Sequence, residues 1–374
     1  MQRNLKAYNI VLETIGPVFV GSGREISKKE YVFLDREHVG ILDQVRLYQF
    51  MKQRHLQKDF ENYLVNDFRQ DVGQWLRQYR IDLEEIFPCV KYTLKCGDTS
   101  LQRGTKTTVV EHIKDGCGLP YIPGSTIKGM LRTILLADDI ISNPDAYAND
   151  KRNLENALFR YKGKVNRNSY LKKEAGQIEI EAFRTLHREK TKPSDAVNDE
   201  LSGMIVGDST PIELDRMILC QKFETHVDGT VKSLNLLGEC IQPGTAISFL
   251  LTLDKQRCRF SIEDIQHAIS KFNDAYNKYF LTAFRTADLI QADAVFLGGG
   301  TGFLTKTIVY PLFEKREGLR ATQSIFENTK VPRAHQHYRD AEMGVSPHIL
   351  KCTKYEGQLL QMGQCKLLSA TQIS

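Results

Sequence analysis

The stretch "GGGTGFLTKT", residues 298–307, places four glycines in five positions directly after the largely apolar run 293–297. Glycine loses conformational entropy when it is ordered, and in return it permits positive φ angles and a close approach of the backbone to a ligand. A strand followed by this loop predicts backbone N–H groups that face an anion, with Lys306 as a nearby cation. The alternative is a glycine bulge that serves close packing alone.

This loop matches neither of the two common phosphate-binding fingerprints. The pattern G-x-x-x-x-G-K-[ST] requires a Gly-Lys-Ser/Thr that the loop lacks. The pattern G-x-G-x-x-G fails because Phe303 stands where its last glycine belongs. The sequence therefore supports neither nucleotide-binding fold.

The composition is that of a globular protein large enough for at least two packed cores. The chain has 374 residues, of which 41% are hydrophobic and 26% are charged. Its apolar stretches are far shorter than the ~20 residues of a membrane span, and its start lacks the apolar core of a signal peptide. Its eight cysteines form no C-x-x-C pair, which favours free thiols over a metal site. We expect a cytoplasmic protein without a membrane anchor.

Positive charge is concentrated in one segment. The net charge of the chain is +5, whereas residues 151–192 contain twelve lysines and arginines against five glutamates. Aromatic residues are interleaved with these charges, which is typical of surfaces that bind single-stranded nucleic acid. A solvated insertion whose charges face water is the equally open alternative.

The order of predicted elements indicates an α+β fold with antiparallel sheets. β-Branched, alternating segments predict strands at 8–15, 31–34, 216–226 and 245–254. Apolar residues at three- and four-residue spacing predict helices between 44 and 87 and again over 261–280. "GPVFVGSGREISKKEYVFLD" is interpreted as a loop that leads to the second strand. After Pro311 the polar sequence predicts mostly loop or a helical appendage.

The segment "LPYIPGSTIKGMLRTILLA", residues 119–137, predicts a buried helix with a charged first face. Ser125 or Thr126 can cap its start, and Lys128 and Arg132 lie four residues apart on one side. Cations at a helix N-terminus oppose the helix dipole, and an anion bound there would resolve the conflict. Removal of both cations is expected to weaken anion binding with little effect on stability.

The sequence contains no convincing catalytic or metal-binding pattern. Its nine histidines show no H-E-x-x-H spacing, and His335 and His337 are interpreted as a chance pair. No G-x-S-x-G motif is present, and Asp208 fits a turn better than a catalytic base. We therefore predict no catalytic residues, no metal ligands and no cofactor.

Three glycine-containing segments, in order along the chain, carry a family resemblance. "IGPVFVGSG" (15–23), "YIPGSTIKGMLR" (121–132) and "LGGGTGFLTKT" (297–307) resemble the signature positions of RAMP proteins, the RNA-binding proteins of CRISPR effector complexes. The third segment and "GDS" at 207–209 most resemble the RAMP subunits of type III-A (Csm) complexes.

The resemblance implies two ferredoxin-like (RRM-like) RAMP domains with helical insertions. The first is expected over 1–215, with a helical insertion at about 44–88 and a basic insertion at about 138–195. The second is expected over 216–374, with the glycine-rich loop 298–302 and a partly irregular tail.

The resemblance also implies a role in CRISPR RNA (crRNA) maturation. One copy per complex would bind the 3′ portion of the crRNA beside other Csm subunits, especially the backbone-forming RAMP subunit. Trimming would be done by a separate ribonuclease that the complex positions. The RNA-binding residues carried over are Gly21, Ser22, Gly23, Arg24, Gly124, Ser125, Thr126, Lys128, Arg132, Gly298, Gly299, Gly300, Thr301, Gly302 and Lys306.

Two other functions stay open. Phe19 stands where many members of the family carry histidine, so a candidate general base is missing from the first motif. A metal-independent endoribonuclease would have to use His112, His187 or His226 as base, assisted by Asp208 or Lys128. A purely structural cap would contact protein partners and hardly touch RNA.

Overall fold

A computed structural model of the chain describes residues 5–98, 107–160, 165–166 and 169–373. Strands and helices are mixed along the chain, which confirms the predicted α+β class. The strands are β1 Leu5–Thr14, β2 Gly21–Ile26, β3 Tyr31–Phe33, β4 His38–Leu42, β5 Val90–Cys96, β6 Val109–His112, β7 Met204–Val206, β8 Met217–His226, β9 Val231–Ile241, β10 Ala246–Asp254, β11 Ala294–Phe296, β12 Ile349–Tyr355, β13 Gln358–Gln361 and β14 Gln364–Gln372. The helices are α1 Gln44–Gln53, α2 Gln57–Asn66, α3 Val72–Gln78, α4 Gly124–Ser142, α5 Ala148–Arg160, α6 Lys172–Phe183, α7 Ile262–Tyr279, α8 Val309–Asn328 and α9 Asp340–Met343.

The first sheet is antiparallel and has the order β11-β14-β1-β10-β7. Along β1, every second residue from Tyr8 to Thr14 is buried, and Ile10 lies opposite the buried Phe249 of β10. This alternation directs one face of the sheet into the core. Helices α4 and α7 pack on that face with their apolar stripes, for example through Leu131 and Ile269.

The elements of this sheet follow the ferredoxin-like pattern. Along the chain, β1, α4, β7, β10, α7 and the edge pair β11 and β14 repeat the order β-α-β-β-α-β. Strand β1 lies between β10 and β14, as expected for such a unit. The glycine-rich loop follows β11 at one edge of this sheet.

The second sheet has the order β2-β6-β9-β8-β5-β4-β3. Strand β12 pairs with the second half of β8, and β13 extends β12. Helices α1, α2 and α3 lie beside the β3 and β4 end with a small core of their own, which includes Leu47, Phe60 and Trp75. The glycine-rich loop meets this second sheet through the bridge between Phe19 and Gly298.

The division of the chain at residue 215 stays a prediction. Strand pairing runs across that point, because β1 comes from the first part of the chain and both of its neighbours come from the second. Any unit built on the first sheet therefore takes residues from both ends of the chain.

Two local predictions are wrong. Residues 21–26 form strand β2 and not a loop, because β6 supplies a pairing partner 83 and more residues away. The prediction of loop or a helical appendage after Pro311 is wrong for the strands, since this segment contains most of α8 and all of α9 but also β12, β13 and β14. The polar residues of β14 hid its strand character, and its partner β1 lies at the other end of the chain.

The basic segment lies largely on helices. Most of its described residues belong to α5 and α6, while Lys162, Lys164 and Arg167 lie outside the described residues. Within the described part of the chain, no helix combines the length and hydrophobicity that a membrane span needs. No disulfide bond joins any of the eight cysteines, all of which lie in the described residues.

Candidate nucleic-acid interface

The glycine-rich loop turns back on itself directly after β11. Gly298, Gly300 and Gly302 have φ angles of 75°, 79° and 100°, a region that favours glycine. The Gly299 N–H donates a hydrogen bond of 2.6 Å to the Phe19 carbonyl oxygen. A Cβ at Gly298 would lie 2.0 Å from that oxygen, so close packing requires glycine there.

Lysines from two strands surround the loop. A Cβ at Gly300 would lie 3.8 Å from Nζ of Lys222 on β8, and one at Gly302 would lie 3.9 Å from Cγ of Lys351 on β12. These two lysines and Lys306 line a cavity of about 540 Å³ together with the loop. The fold therefore brings Lys222 and Lys351 from distant parts of the chain to the glycine-rich loop and the neighbouring Lys306.

The charges around this cavity are unbalanced. Lys351 forms an ion pair with Glu224. Lys222 and Lys306 have no carboxylate partner within the part of the chain that the structure describes. Burial and the nearby charge of Lys222 lower the pKa of Lys306 below its ordinary value. Two ammonium groups without a counter-ion favour an anion in this cavity.

The walls of the same cavity are apolar and aromatic. Phe223, Phe303 and Phe326 line it beside the lysines. The Lys222 ammonium also lies 5.6 Å from the ring centre of Phe19. Aromatic faces next to cations suit a nucleotide, because the base can stack while the phosphate pairs with an ammonium group. We call this cavity the lysine cleft.

Thr301 and Thr305 stabilise the glycine-rich loop through a hydrogen bond between their side chains. Both are buried, and the Thr305 hydroxyl donates a hydrogen bond of 2.8 Å to Oγ1 of Thr301. The Thr301 hydroxyl is therefore hydrogen-bonded within the loop, whereas the family resemblance implied that it binds RNA.

The first predicted motif lies on an exposed edge strand. Gly21, Ser22, Gly23 and Arg24 belong to β2, at the end of the second sheet. The Ser22 hydroxyl donates to Glu111 at 3.1 Å, and Arg24 forms an ion pair with Glu30 at 2.6 Å. This motif meets the glycine-rich loop at Phe19, since a Cβ at Gly21 would lie 3.1 Å from the Phe19 ring.

The start of α4 is hydrogen-bonded to a carboxylate of this chain, that of Asp208. The Gly124 N–H donates a hydrogen bond of 2.7 Å to Oδ1 of Asp208. Neither Ser125 nor Thr126 caps the helix, because its N-cap residue is Pro123. The predicted phosphate position at this helix start is therefore filled by a carboxylate.

Lys128 and Arg132 also have partners within the chain. Lys128 donates hydrogen bonds to the carbonyl oxygens of Leu201 and Met204 at 2.6 and 2.8 Å. Arg132 forms ion pairs of 2.9 Å with Glu179 and Asp199, and its guanidinium stacks 4.6 Å from the ring centre of the buried Phe183. These contacts contradict the expectation that both side chains contribute little to stability.

Replacement of Arg132 by alanine is expected to lower the free energy of unfolding by about 1–2 kcal/mol. The substitution removes two charge-assisted hydrogen bonds and the packing on Phe183. Urea denaturation of the purified chain measures the change. Arg46→Ala on α1 is the control, because Arg46 is largely exposed and its loss should cost less than about 0.5 kcal/mol. Equal stability of the two variants would contradict a structural role for Arg132.

The three histidines considered as catalytic bases do not form a site with the proposed assistants. His112 is fully buried, and its ring nitrogens contact the backbone of Val20 and Tyr121. Burial lowers its pKa to about 4. His187 is exposed, and His226 lies beside His348 at the end of β8. Within the described residues, neither Asp208 nor Lys128 hydrogen-bonds any of the three.

His337 belongs to a cluster that sequence spacing did not suggest. Its ring lies 5.9 Å from that of His335, and it also contacts Asp340, which in turn contacts His348. The sequence shows none of these contacts, so it gave no reason to interpret His335 and His337 as more than a chance pair. His348 is eleven residues away, and the fold alone brings it near.

Lys222 and Lys351 were not among the residues predicted to bind RNA. Both lie on strands beside the glycine-rich loop, far from it in sequence. Lys222 is less buried than its neighbours Gln221 and Phe223 on the otherwise largely buried β8. Nothing in the sequence pairs either lysine with the loop.

Residues 11–304 match the family described as the RAMP superfamily. This match covers more than three quarters of the 374 residues. The chain is a RAMP protein. The resemblance inferred from the three glycine-containing segments is thereby confirmed.

Two curated relatives of this RAMP protein carry the same name. It is 29% identical, over 392 aligned positions and 98% of each chain, to the "CRISPR system Cms protein Csm5" of Mycobacterium tuberculosis strain H37Rv. It is 27% identical to the Csm5 protein of Streptococcus thermophilus, over 85% of this chain and 84% of that one.

Solved structures share the fold of this RAMP protein. One is a chain in the cryo-EM structure of a Csm-crRNA-target RNA ternary complex of a type III-A CRISPR-Cas system, with a TM-score of 0.64 and 18% identity. Another is the crystal structure of T. onnurineus Csm5, with a TM-score of 0.60 and 17% identity. Both alignments cover 96% of this chain and all of the other, which supports the ferredoxin-like RAMP fold.

Proposed function

We propose that this RAMP protein is the Csm5-type subunit of a type III-A CRISPR ribonucleoprotein and binds the 3′ portion of the crRNA. The observation that carries the proposal is the lysine cleft, which Lys222, Lys306 and the glycine-rich loop line together and where neither lysine has a carboxylate partner among the described residues. The names of the curated relatives and the RNA complex of one structural relative support the same assignment. Such a subunit would act in the cytoplasm.

The cleft suits a phosphate group. Lys222 and Lys306 bring two ammonium groups, and burial, together with the charge of Lys222, lowers the pKa of Lys306, so a nearby anion would stabilise its charged form. The glycines that adopt positive φ angles in the loop have no side chains, which allows a ligand to approach the backbone closely. The cleft thus combines charge with steric access.

The cleft also suits a base of single-stranded RNA. A volume of about 540 Å³ with aromatic residues Phe303 and Phe326 offers stacking surfaces, which every base can use. Few groups in the cleft are arranged to read base edges. We therefore expect binding that depends little on RNA sequence.

The role in the complex is to hold RNA and to contact other Csm subunits, above all the backbone-forming RAMP subunit. In this account, crRNA 3′ maturation requires the subunit because a separate ribonuclease acts on RNA that the complex positions. The remaining predicted residues on the exposed strand β2, Gly21 to Arg24, would extend the contact from the cleft along Phe19.

The double variant Lys222→Ala/Lys306→Ala is expected to bind single-stranded RNA at least about tenfold more weakly than the unmodified chain. With about 3–5 phosphates neutralised, log K should fall with log[salt] with a slope of about −2 to −3.5. Loss of two lysines should reduce that slope by about 1.4. Fluorescence anisotropy with labelled RNA over a salt series measures both quantities.

Two further variants separate the possible RNA surfaces. Lys58→Ala, an exposed lysine on α2, controls for general loss of charge and should leave affinity unchanged. Lys172→Ala/Lys173→Ala removes two exposed cations of the basic segment. If that variant loses affinity and the cleft variant does not, the basic segment is the RNA surface and the assignment of the cleft is wrong.

The purified chain is expected to bind precursor crRNA without cutting it. A buried His112 with both ring nitrogens engaged cannot reach a 2′-hydroxyl, and within the described residues neither Asp208 nor Lys128 hydrogen-bonds His187 or His226. The assay uses excess protein over labelled RNA, with and without Mg²⁺. Cleavage that survives purification and disappears in His112→Ala/His187→Ala/His226→Ala would support the endoribonuclease instead.

A further inference from the structure

A buried carboxylate joins two histidines at one side of the lysine cleft. His337 Nδ1 lies 3.2 Å from Oδ2 of Asp340, and His348 Nδ1 contacts Oδ1 of the same carboxylate. The two imidazole rings lie 5.4 Å apart, and each residue offers a ligand atom within 4.8 Å of the others. We call these three residues the histidine cluster.

No lysine or arginine among the described residues balances the negative charge of Asp340. Asp340 is fully buried, and within the described residues it contacts no lysine or arginine. Its partners are the two imidazoles and the Ser346 hydroxyl, which donates to Oδ2. Buried charges in proteins are paired or bound to metal ions, because a lone charge is costly away from water. A cation between these side chains would supply the missing charge.

The fold holds the three side chains in place. His337 and Asp340 are three residues apart on consecutive helical turns, which directs both to one side. His348 comes directly before β12. Ser346 is fixed in turn by Tyr310 of α8, whose hydroxyl accepts from the Ser346 N–H and donates to its carbonyl oxygen. Outer partners of this kind orient metal ligands.

The types of donor select the class of ion. Two imidazole nitrogens and one carboxylate oxygen suit Zn²⁺ and other divalent first-row transition metals. Ca²⁺ and Mg²⁺ prefer sets of oxygen atoms, and the cluster has no thiolate for soft ions. His337 also lines the lysine cleft, so an ion has a path from solvent and can keep one exchangeable ligand.

We propose that His337, Asp340 and His348 form a binding site for one divalent transition-metal ion, for which Zn²⁺ is the natural occupant. The ion balances the buried carboxylate and ties the segment before β12 to the turn at 337–340. This site does not depend on the proposed function, because its residues would bind the ion with or without RNA.

The test uses the untagged full-length chain after treatment with a chelator and removal of that chelator. Equilibrium dialysis against Zn²⁺ with elemental analysis should give one equivalent of bound zinc. Titration with Co²⁺ should produce visible absorption bands that Zn²⁺ abolishes. Zinc should also raise the melting temperature, since a ligand that binds the folded state stabilises it.

His337→Ala should weaken binding at least as much as loss of an outer partner does, by about 10–100-fold, and should abolish the cobalt bands. This variant should remain folded, because Asp340 keeps His348 and Ser346 as partners. His348→Ala should behave in the same way, and if it does not fold, His337→Ala decides. His267→Ala, an exposed histidine on α7, is the control and should bind one equivalent.

Less than one equivalent of zinc in the unmodified chain would overturn the proposal. Equal affinity of the unmodified chain and His337→Ala would overturn it as well. The cluster would then be a network of hydrogen bonds around Asp340, without a metal.

Discussion

Gly298→Ala is expected to lower the free energy of unfolding by about 3–5 kcal/mol, which is most of the stability of many domains. A methyl group at this position would lie 2.0 Å from the Phe19 carbonyl oxygen, and the φ angle of 75° is one that alanine rarely adopts. The loop would have to leave Phe19 and lose the hydrogen bond from Gly299. Urea denaturation followed by circular dichroism measures the loss.

The control for this prediction is Gly116→Ala. Gly116 is exposed, and a Cβ there would meet no atom within 4 Å. Its replacement should change the free energy of unfolding by less than about 0.5 kcal/mol. A Gly298→Ala protein as stable as Gly116→Ala would show that the loop is not packed on Phe19 as described.

Acid is expected to remove about 3 kcal/mol of stability through His112 alone. Burial lowers the pKa of His112 from 6.5 to about 4 in the folded chain, so the unfolded chain binds a proton more readily. The contribution is therefore fully present above about pH 6.5 and is lost as the pH falls toward 4. Free energies of unfolding measured at a series of pH values report the loss.

The variant His112→Gln isolates this effect from that of acidic residues. Its stability should depend less steeply on pH between about 4 and 6.5 than that of the unmodified chain. His267→Gln, which changes an exposed histidine, should keep the full dependence. An identical pH dependence in His112→Gln, or an NMR titration of the His112 ring with a pKa near 6.5, would contradict the burial argument.

Local sequence patterns predicted the elements that carry their own signals. Helix α7 begins where the sequence placed a capping box, with Ser261 and Asp264 bonded to each other's backbone. Strands β8 and β10 lie within one residue of their predicted bounds, and buried and less buried residues alternate along β10. The apolar stripe of α4 is buried as its spacing indicated.

Elements that depend on distant partners were not predictable in this way. Strand β2 consists of "GSGREI", in which five of six residues are exposed, and it is a strand because β6 pairs with it. Strand β14 carries a polar end and is fixed between β1 and β11. A single sequence shows what each segment prefers and does not show which distant segment will pair with it.

The same distinction between local signals and distant partners applies to the candidate site. The glycines of the loop could be found because positive φ angles demand glycine, and the bend they permit lies where the sequence placed it. The RNA-binding cations could not be assigned from the sequence, because only the fold shows which lysines and arginines form ion pairs within the chain. Arg132 pairs with Glu179 and Asp199, whereas Lys222, which no local motif marks, lies beside the loop with no carboxylate partner among the described residues.

The most direct test of the account is to find which residues touch the 3′ end of the RNA. A crRNA with 4-thiouridine near its 3′ end is assembled with the full set of Csm subunits, irradiated and digested, and the linked peptides are identified by mass spectrometry. We expect crosslinks to residues 298–306, which contain the glycine-rich loop, and to the segment of β8 that contains Lys222. Crosslinks confined to residues 151–192, or none to this chain in an assembled complex, would contradict it.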